Sequence, residues 1–309
     1  MLPVVTNPDM QRTLFFIFLL AFNFDSLQLK AQEQDPFQEA KIEELCFGVL
    51  NTDYDEERKQ FNQALKQLLK EEVLLKEGAF AHPFSKVKSL GILSSPDSML
   101  RIFNWMVPFS DGSYQYEGLV LLKQAGEIGL IDLKPLKNDS VLTEYAILGS
   151  KQWPAALYYE LIQRQDQFDT YYTLLGWDGH NRLSTKKTIE VIRIKADGSL
   201  QFGAPIFEAK KGKKSRRLFE YSAQHSMRLN YDASTKQIQF DFLAPLKPSL
   251  EGVYEYYFPA MTQDAYVWEE NRWKFIKLID TDEGRKREIK KLEKNKKDQI
   301  LEQDDIYKP

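Results

Sequence analysis

SSPDSMLRIFNWMVPFSDGSYQYEGLVLL, residues 94–122, sets two strongly apolar runs among three turn-forming clusters. SPDS reads as a turn, MLRIFNWMV as a strand, PFSDGS as a second turn and YQYEGLVLL as the returning strand. Aspartate-glycine between two such runs is a hairpin signal, because tight hairpin turns need positive φ and glycine adopts it without steric cost. The chain after Pro83 is therefore read as β-structure.

The same punctuation continues downstream. Further turns are expected at QAGE, GWDGHN, KADGS, YDASTK and WEENR. The pair SMRLNY and QIQFDF alternates cleanly: Met227, Leu229 and Tyr231 on one face of the first, Ile238, Phe240 and Phe242 on one face of the second. A period of two means one buried and one wet face. YEGLVLL and AALYYELI are apolar on both faces and need cover on both sides. Between residues 99 and 279 the pattern predicts eleven to thirteen strands, joined by short turns into antiparallel meanders that close into a barrel or pack as two sheets. A propeller is disfavoured, because the turns do not recur at a fixed interval of about 40–50 residues. The fold class is thus mainly β, α+β overall.

Ahead of this β-domain (residues 83–280), residues 32–82 carry a helical pattern. Asp35 is placed as an N-cap with Pro36 at the first helical position, and Asp53 with Glu56 as a capping box for a second helix. In that second helix Phe61, Ala64, Leu65, Leu68, Leu69 and Leu75 form one apolar stripe, and Gly78 ends it. These helices are expected to cover one face of the β-domain. Residues 281–309 are charge-rich and short of aliphatic side chains, which suits a solvated helix or a tail. At the other end, Arg12 precedes an apolar run from Leu14 to Phe22. That run is too short to span a bilayer but has the length of a signal-peptide core. Residues 1–31 are read as a signal peptide starting at Met10 and cleaved before Gln32, so the mature protein is expected to be exported (periplasmic, outer-surface or secreted) and not transmembrane.

Composition excludes some chemistry and leaves the rest open. A net charge of −3 over 309 residues is no field for nucleic acid. Cys46 is the only cysteine, so no internal disulfide and no thiolate metal cluster can form; its place in IEELCFGVL reads as a buried helical position. His82, His180 and His225 stand apart in sequence with no metal-ligand spacing, and no G-x-S-x-G elbow, P-loop or dinucleotide fingerprint is present. No metal or cofactor is expected. Asp178, His180 and Asn181 in GWDGHN make a polar loop that gathers oxygen and nitrogen donors, though the same residues suit a plain turn. Lys210, Lys211, Lys213, Lys214, Arg216 and Arg217 form the sharpest charge run. It reads as an anion-binding loop or as a solvated hairpin tip that guards a sheet edge. Glu117, Glu160, Asp178, Glu220, Asp241 and Glu255 lie on or near strands, where a carboxylate pair for glycoside hydrolysis would have to meet in space. Tyr158-Tyr159, Tyr171-Tyr172 and VYEYYF (253–258) are read mainly as core, with adjacent tyrosines splitting between two faces.

SPDSMLRIFNW, LLGWDGHNRLSTKKTIEVIRI, FGAPIF, RRLFEYS, MRLNYD and DFLAP together resemble a group of exported proteins of Bacteroidota that have no known activity. The resemblance covers roughly residues 90 to 280. It implies export and a β-rich fold, and brings no catalytic residue, cofactor or partner with it. The sequence favours a non-catalytic binding or scaffold protein of the cell envelope, acting on a glycan, lipid or protein. The alternative is a hydrolase of envelope polymers whose carboxylates meet only in the fold.

Overall fold

A computed structural model describes residues 35–137, 142–209 and 212–277. The predicted signal peptide and the charged tail lie outside the described residues, as do Lys210 and Lys211.

The opening stretch forms the expected hairpin. β1 (Gly91–Ser94), β2 (Leu100–Pro108), β3 (Tyr114–Gln124) and β4 (Glu127–Asp132) make a four-stranded antiparallel sheet I in sequence order. Pro108 pairs with Tyr114 across the loop Phe109–Ser113, where Gly112 takes the φ of +85° that the Asp-Gly signal requires. Both faces of β2 and β3 are buried, by strict alternation. Phe103, Trp105, Val107, Leu119 and Leu121 face the N-terminal helices, while Leu100, Ile102, Tyr116, Val120 and Leu122 face the next sheet. Each such side chain taken wholly out of water contributes about 1.5–3 kcal/mol before entropy is counted.

The helices are α1 (Glu39–Asn51) and α2 (Asp55–Gln67), the second running on into a wider π-helical turn, Leu68–Val73. Their starts differ from the sequence reading. Asp35 sits before a turn, and its carboxylate accepts N–H bonds from Phe37 and Glu39 rather than capping a helix that begins at Pro36. Asp53 caps nothing; α2 begins at Asp55 after Tyr54, with no side-chain cap. Asp55 instead accepts bonds from the N–H and hydroxyl of Ser110, tying the helix start to the β2–β3 loop. The apolar stripe shifts as well. In the π-helical turn Leu74 N–H reaches back five residues to Leu69 O, which delays the face and brings Val73 and Leu74 into the core. Leu75 is left 60% exposed and Ala64 also faces solvent, against the 3.6-residue expectation. Cys46 is buried in α1 as expected; burial, then the nearby Glu43 charge, pushes its thiol up to about 12.

A polar clamp holds α2 on sheet I. Asn62 accepts a bond from Trp105 Nε1 (2.7 Å) and donates to Glu117, which also pairs with Lys66 at 2.5 Å. Lys66, Lys70 and Lys134 converge on Asp132. Burial works to raise the Asp132 carboxyl, but hydrogen bonds from these three lysines outweigh it and hold it down at about 2.

Beyond sheet I lie two further sheets. Sheet II contains β5 (Leu148–Gly149), β6 (Leu157–Gln165), β7 (Thr170–Asp178), β8 (Ser184–Ile194) and β9 (Leu200–Phe202) in the order β5-β9-β8-β7-β6, and β12 (Arg217–Ser222) pairs with the first half of β8. Sheet III joins β10 (Phe207–Glu208), β11 (Lys213–Lys214), β13 (Leu229–Asp232), β14 (Gln237–Pro245), β15 (Tyr257–Glu269) and β16 (Arg272–Lys277) in the order β11-β10-β16-β15-β14-β13. Every pairing between these strands is antiparallel except the Phe207–Trp273 bridge between β10 and β16, and an isolated parallel bridge joins Pro135 to Trp153. The turns expected at QAGE, GWDGHN, KADGS, YDASTK and WEENR all join antiparallel neighbours. Strands outnumber the sequence reading because β5, β10 and β11 have two residues each, too few for any periodicity to show.

The arrangement is layered: helices, sheet I, sheet II, sheet III, with no closed barrel. Sheet II is the middle sheet and is covered twice. On β7, Tyr172 and Leu174 pack toward sheet I while Tyr171 and Leu175 pack toward sheet III. That is why Tyr171 and Tyr172 are both buried, although adjacent residues point opposite ways. Tyr158 and Tyr159 do split between core and surface.

Candidate functional site

Where the β2–β3 and β7–β8 loops meet, the surface opens into a cleft of about 1170 Å³. Its walls come from Phe109 and Ser113–Tyr116 of sheet I, from Asp178, His180 and Lys186 of sheet II, and from Leu218 and Glu220 of β12. Pro135, Leu136, Lys137, Leu142 and Glu144 line another side, with Pro154, Ala155 and Tyr254 completing it.

The two loops are zipped together. Arg182 donates to Ser110 O at 2.7 Å. Tyr116 donates its hydroxyl to Asp178 Oδ1 (3.0 Å) and accepts the N–H of Gly179 (2.8 Å). Burial, then the Asp178 charge, drives the Tyr116 phenol far up from its ordinary value, so it stays a proton donor. The Tyr114 ring lies directly on Gly179, where any Cβ would collide with it, and packs edge-on against Trp177 at 5.5 Å. These contacts give Gly112 and Gly179 their roles: Gly112 supplies the left-handed φ of its turn, and Gly179 makes room for Tyr114 of the other loop.

The polar loop predicted at Asp178, His180 and Asn181 reaches the cleft in part. His180 holds a left-handed φ of 52°, its N–H bonded to Asp178 Oδ1, a conformation that costs a non-glycine residue about 1 kcal/mol or more. Lys186 Nζ lies 3.2 Å from His180 Nδ1, and His180 Nε2 lies 3.6 Å from Glu220 Oε1. A lysine ammonium only donates, so Nδ1 accepts and the ring proton sits on Nε2, facing Glu220. Glu220 also accepts the Ser184 hydroxyl at 2.7 Å and stands 3.7 Å from Lys186. Asn181 is outside the cleft; its side-chain oxygen accepts the N–H groups of Leu183 and Ser184 and shapes the turn.

The basic run is placed differently from a free cationic loop. Arg216 is wholly buried, pairing with Glu190 at 2.7 Å and donating to the carbonyls of Thr143, Ala146 and Phe202. Lys214 and Arg217 both pair with Glu144, which also accepts the Leu218 N–H. Burial tends to raise Glu144, but the Arg217 charge and these hydrogen bonds prevail and hold its carboxyl below the usual range. Three basic residues therefore anchor the 143–146 segment, a wall of the cleft, from behind. Of the described members only Lys213 is exposed with no such partner.

The other candidates disperse. Of the six strand carboxylates, Asp178 and Glu220 share the cleft. Glu117 belongs to the helix clamp, Glu160 accepts the Tyr231 N–H, Asp241 accepts the Arg228 N–H, and Glu255 lies on the turn before β15. His82 pairs with Glu39 at 2.8 Å and stacks on Phe37, and His225 is exposed in a turn. Among the described residues no three His, Cys, Asp or Glu side chains are grouped to hold a metal ion, and no helix is long and apolar enough to cross a membrane. Tyr114, Tyr116, Glu144 and Lys186 were missed as site residues; only Tyr254 sat in a segment singled out for its aromatics. Comparison with protein-family models, with curated proteins and with solved structures gave no match.

Proposed function

We propose that this is an exported, non-catalytic binding protein of the cell envelope whose cleft holds an extended, uncharged, hydroxyl-rich ligand, a glycan segment. The observation that carries the reading is the pairing of charge inside an aromatic-rimmed cleft. Glu144 is matched by Lys214 and Arg217, and Glu220 by Lys186 beside His180. Asp178 is already bonded by a phenol and a backbone N–H. Such a surface offers donors and acceptors side by side, with opposite charges adjacent at Glu144 and Glu220. Vicinal hydroxyls, each donor and acceptor at once, match it, and the C–H faces of a sugar ring match Tyr114 and Tyr254. The cleft volume exceeds the roughly 300–1,000 Å³ of ordinary small-molecule pockets, which favours several rings over one.

Titration calorimetry against a panel of neutral envelope oligosaccharides tests this. Binding is expected to weaken about 3–10-fold in Tyr254→Ala, the worth of one aromatic contact. A panel without a binder, or affinity indifferent to Tyr254, overturns it. The hydrolase alternative has one observation in its favour, the presence of Asp178 and Glu220 in one cleft. Shortened products on prolonged incubation, lost in Glu220→Gln, would establish that alternative instead. Export rests on the Leu14–Phe22 run. N-terminal sequencing of protein recovered outside the cytoplasm should begin at Gln32, and mature protein still carrying Leu14–Phe22 would refute the cleavage.

A further inference from the structure

In the cleft, His180 sits between a cation and an anion carried by two different strands. Lys186 of β8 brings its ammonium within 3.2 Å of Nδ1, and Glu220 of β12 brings a carboxylate oxygen within 3.6 Å of Nε2. Lys186 also stands 3.7 Å from Glu220, so the three side chains close a triangle on the cleft wall. The contact between the ammonium and Nδ1 exists only while the imidazole is neutral. A protonated ring carries N–H at both nitrogens and offers Lys186 no lone pair, only a like charge. The His180 backbone is pinned by its N–H bond to Asp178 and by the Tyr114 ring on Gly179, so the flexible lysine gives way. The surrounding charged groups are already engaged. Asp178 accepts from the Tyr116 phenol and the His180 N–H, and Arg182 donates to Ser110 O. On another side of the cleft Glu144 is matched by Lys214 and Arg217.

We infer that His180 is a proton-operated switch on the charge of the cleft: when its ring takes up a proton, Nε2–H claims Glu220 and Lys186 is released as a free ammonium for an acidic sugar unit. The only bond made in this step is the new Nδ1–H, and the cleft gains one positive charge. Histidine is the side chain whose charge ordinarily changes between about pH 5 and 8. Lys137 lines the same cleft, so a sugar carboxylate entering it meets a second cation as well. The ligand class rests on the glycan reading, which it extends to acidic units; the coupling of His180 to Lys186 does not.

Imidazole NMR of the full-length protein reads that coupling with no ligand present. The chain has three histidines, and His225, exposed in a turn, serves as the reference. Lys186→Met is expected to raise the His180 titration midpoint by about half a pH unit or more, and Glu220→Gln to lower it by a similar amount. A His180 midpoint that stays with the wild type in Lys186→Met overturns the switch. Calorimetry with a uronate-containing trisaccharide and its neutral counterpart reads the consequence. From about pH 8 to about pH 5.5 the acidic sugar should gain about 3–10-fold in affinity, the neutral one should hold steady, and His180→Gln should abolish the gain. If the neutral sugar binds while the acidic one is indifferent to pH, the inference fails and the glycan reading stands. If neither sugar binds at either pH, the glycan reading falls and the acidic-ligand half of the inference falls with it.

Discussion

Arg216→Met is expected to destabilise the protein by about 3–5 kcal/mol, the usual loss when one member of a buried ion pair is removed. Glu190 would remain fully buried with its counter-charge gone, and the carbonyls of Thr143, Ala146 and Phe202 would lose their donors. Burial already raises the Glu190 carboxyl, and the Arg216 charge and hydrogen bond offset part of that rise. Without Arg216 the folded-state value climbs further above the unfolded one, so the folded variant binds the proton that the unfolded chain releases. Stability of the variant should therefore be least impaired below the unfolded carboxyl value, about 4.3, and fall as pH rises above it. Urea titrations at pH 4 and pH 7 check both the size and the slope. A pH-independent loss below 1 kcal/mol would show that the pair is not sealed. Pairing the change with Glu190→Leu should recover only part of the loss, because the carbonyls of Thr143, Ala146 and Phe202 still lack the guanidinium donors.

Trp273→Ala should cost about 3–5 kcal/mol as well, by a different route. Trp273 is wholly buried between sheets II and III, where its Nε1 donates to Thr173 Oγ1 on β7 at 3.1 Å. Its ring packs edge-on against Trp268 at 5.4 Å and lies under the Arg164 guanidinium. Truncation removes a large apolar surface and leaves a cavity that the stiff ladders on either side close only in part. Trp273→Phe keeps most of the volume and loses the hydrogen bond, for which about 1 kcal/mol is expected. Equal losses in the two variants would mean that the hydrogen bond, and not the packing, joins the sheets.

The parts of this fold that could be read from the sequence are those where one local rule acts alone. Period-two alternation and Asp-Gly punctuation place β2, β3, β13 and β14 because side-chain direction in a strand depends on nothing distant. The helix starts were misread because Asp35 and Asp53 look like caps locally, yet tertiary contacts decide the outcome. Asp55 is engaged by Ser110, 55 residues away, and the π-helical turn rotates Val73 into the core. The cleft was the least legible feature. Its residues come from loops separated by more than a hundred positions, and Glu144 lies in an irregular segment with no periodic signal. The basic run misleads for the same reason. Charge density in sequence carries no information on whether an arginine faces water or, like Arg216, a buried glutamate.

Native-state amide hydrogen exchange tests the layered arrangement most directly. Leu174, Leu175, Ile189 and Val191 sit on the middle sheet, sealed by sheet I on one side and sheet III on the other. Their amides are predicted to exchange last, and only through global unfolding, while the edge strand β4 opens locally and exchanges early. Exchange of those four amides as fast as that of β4 would contradict the stacking on which both the fold and the cleft depend.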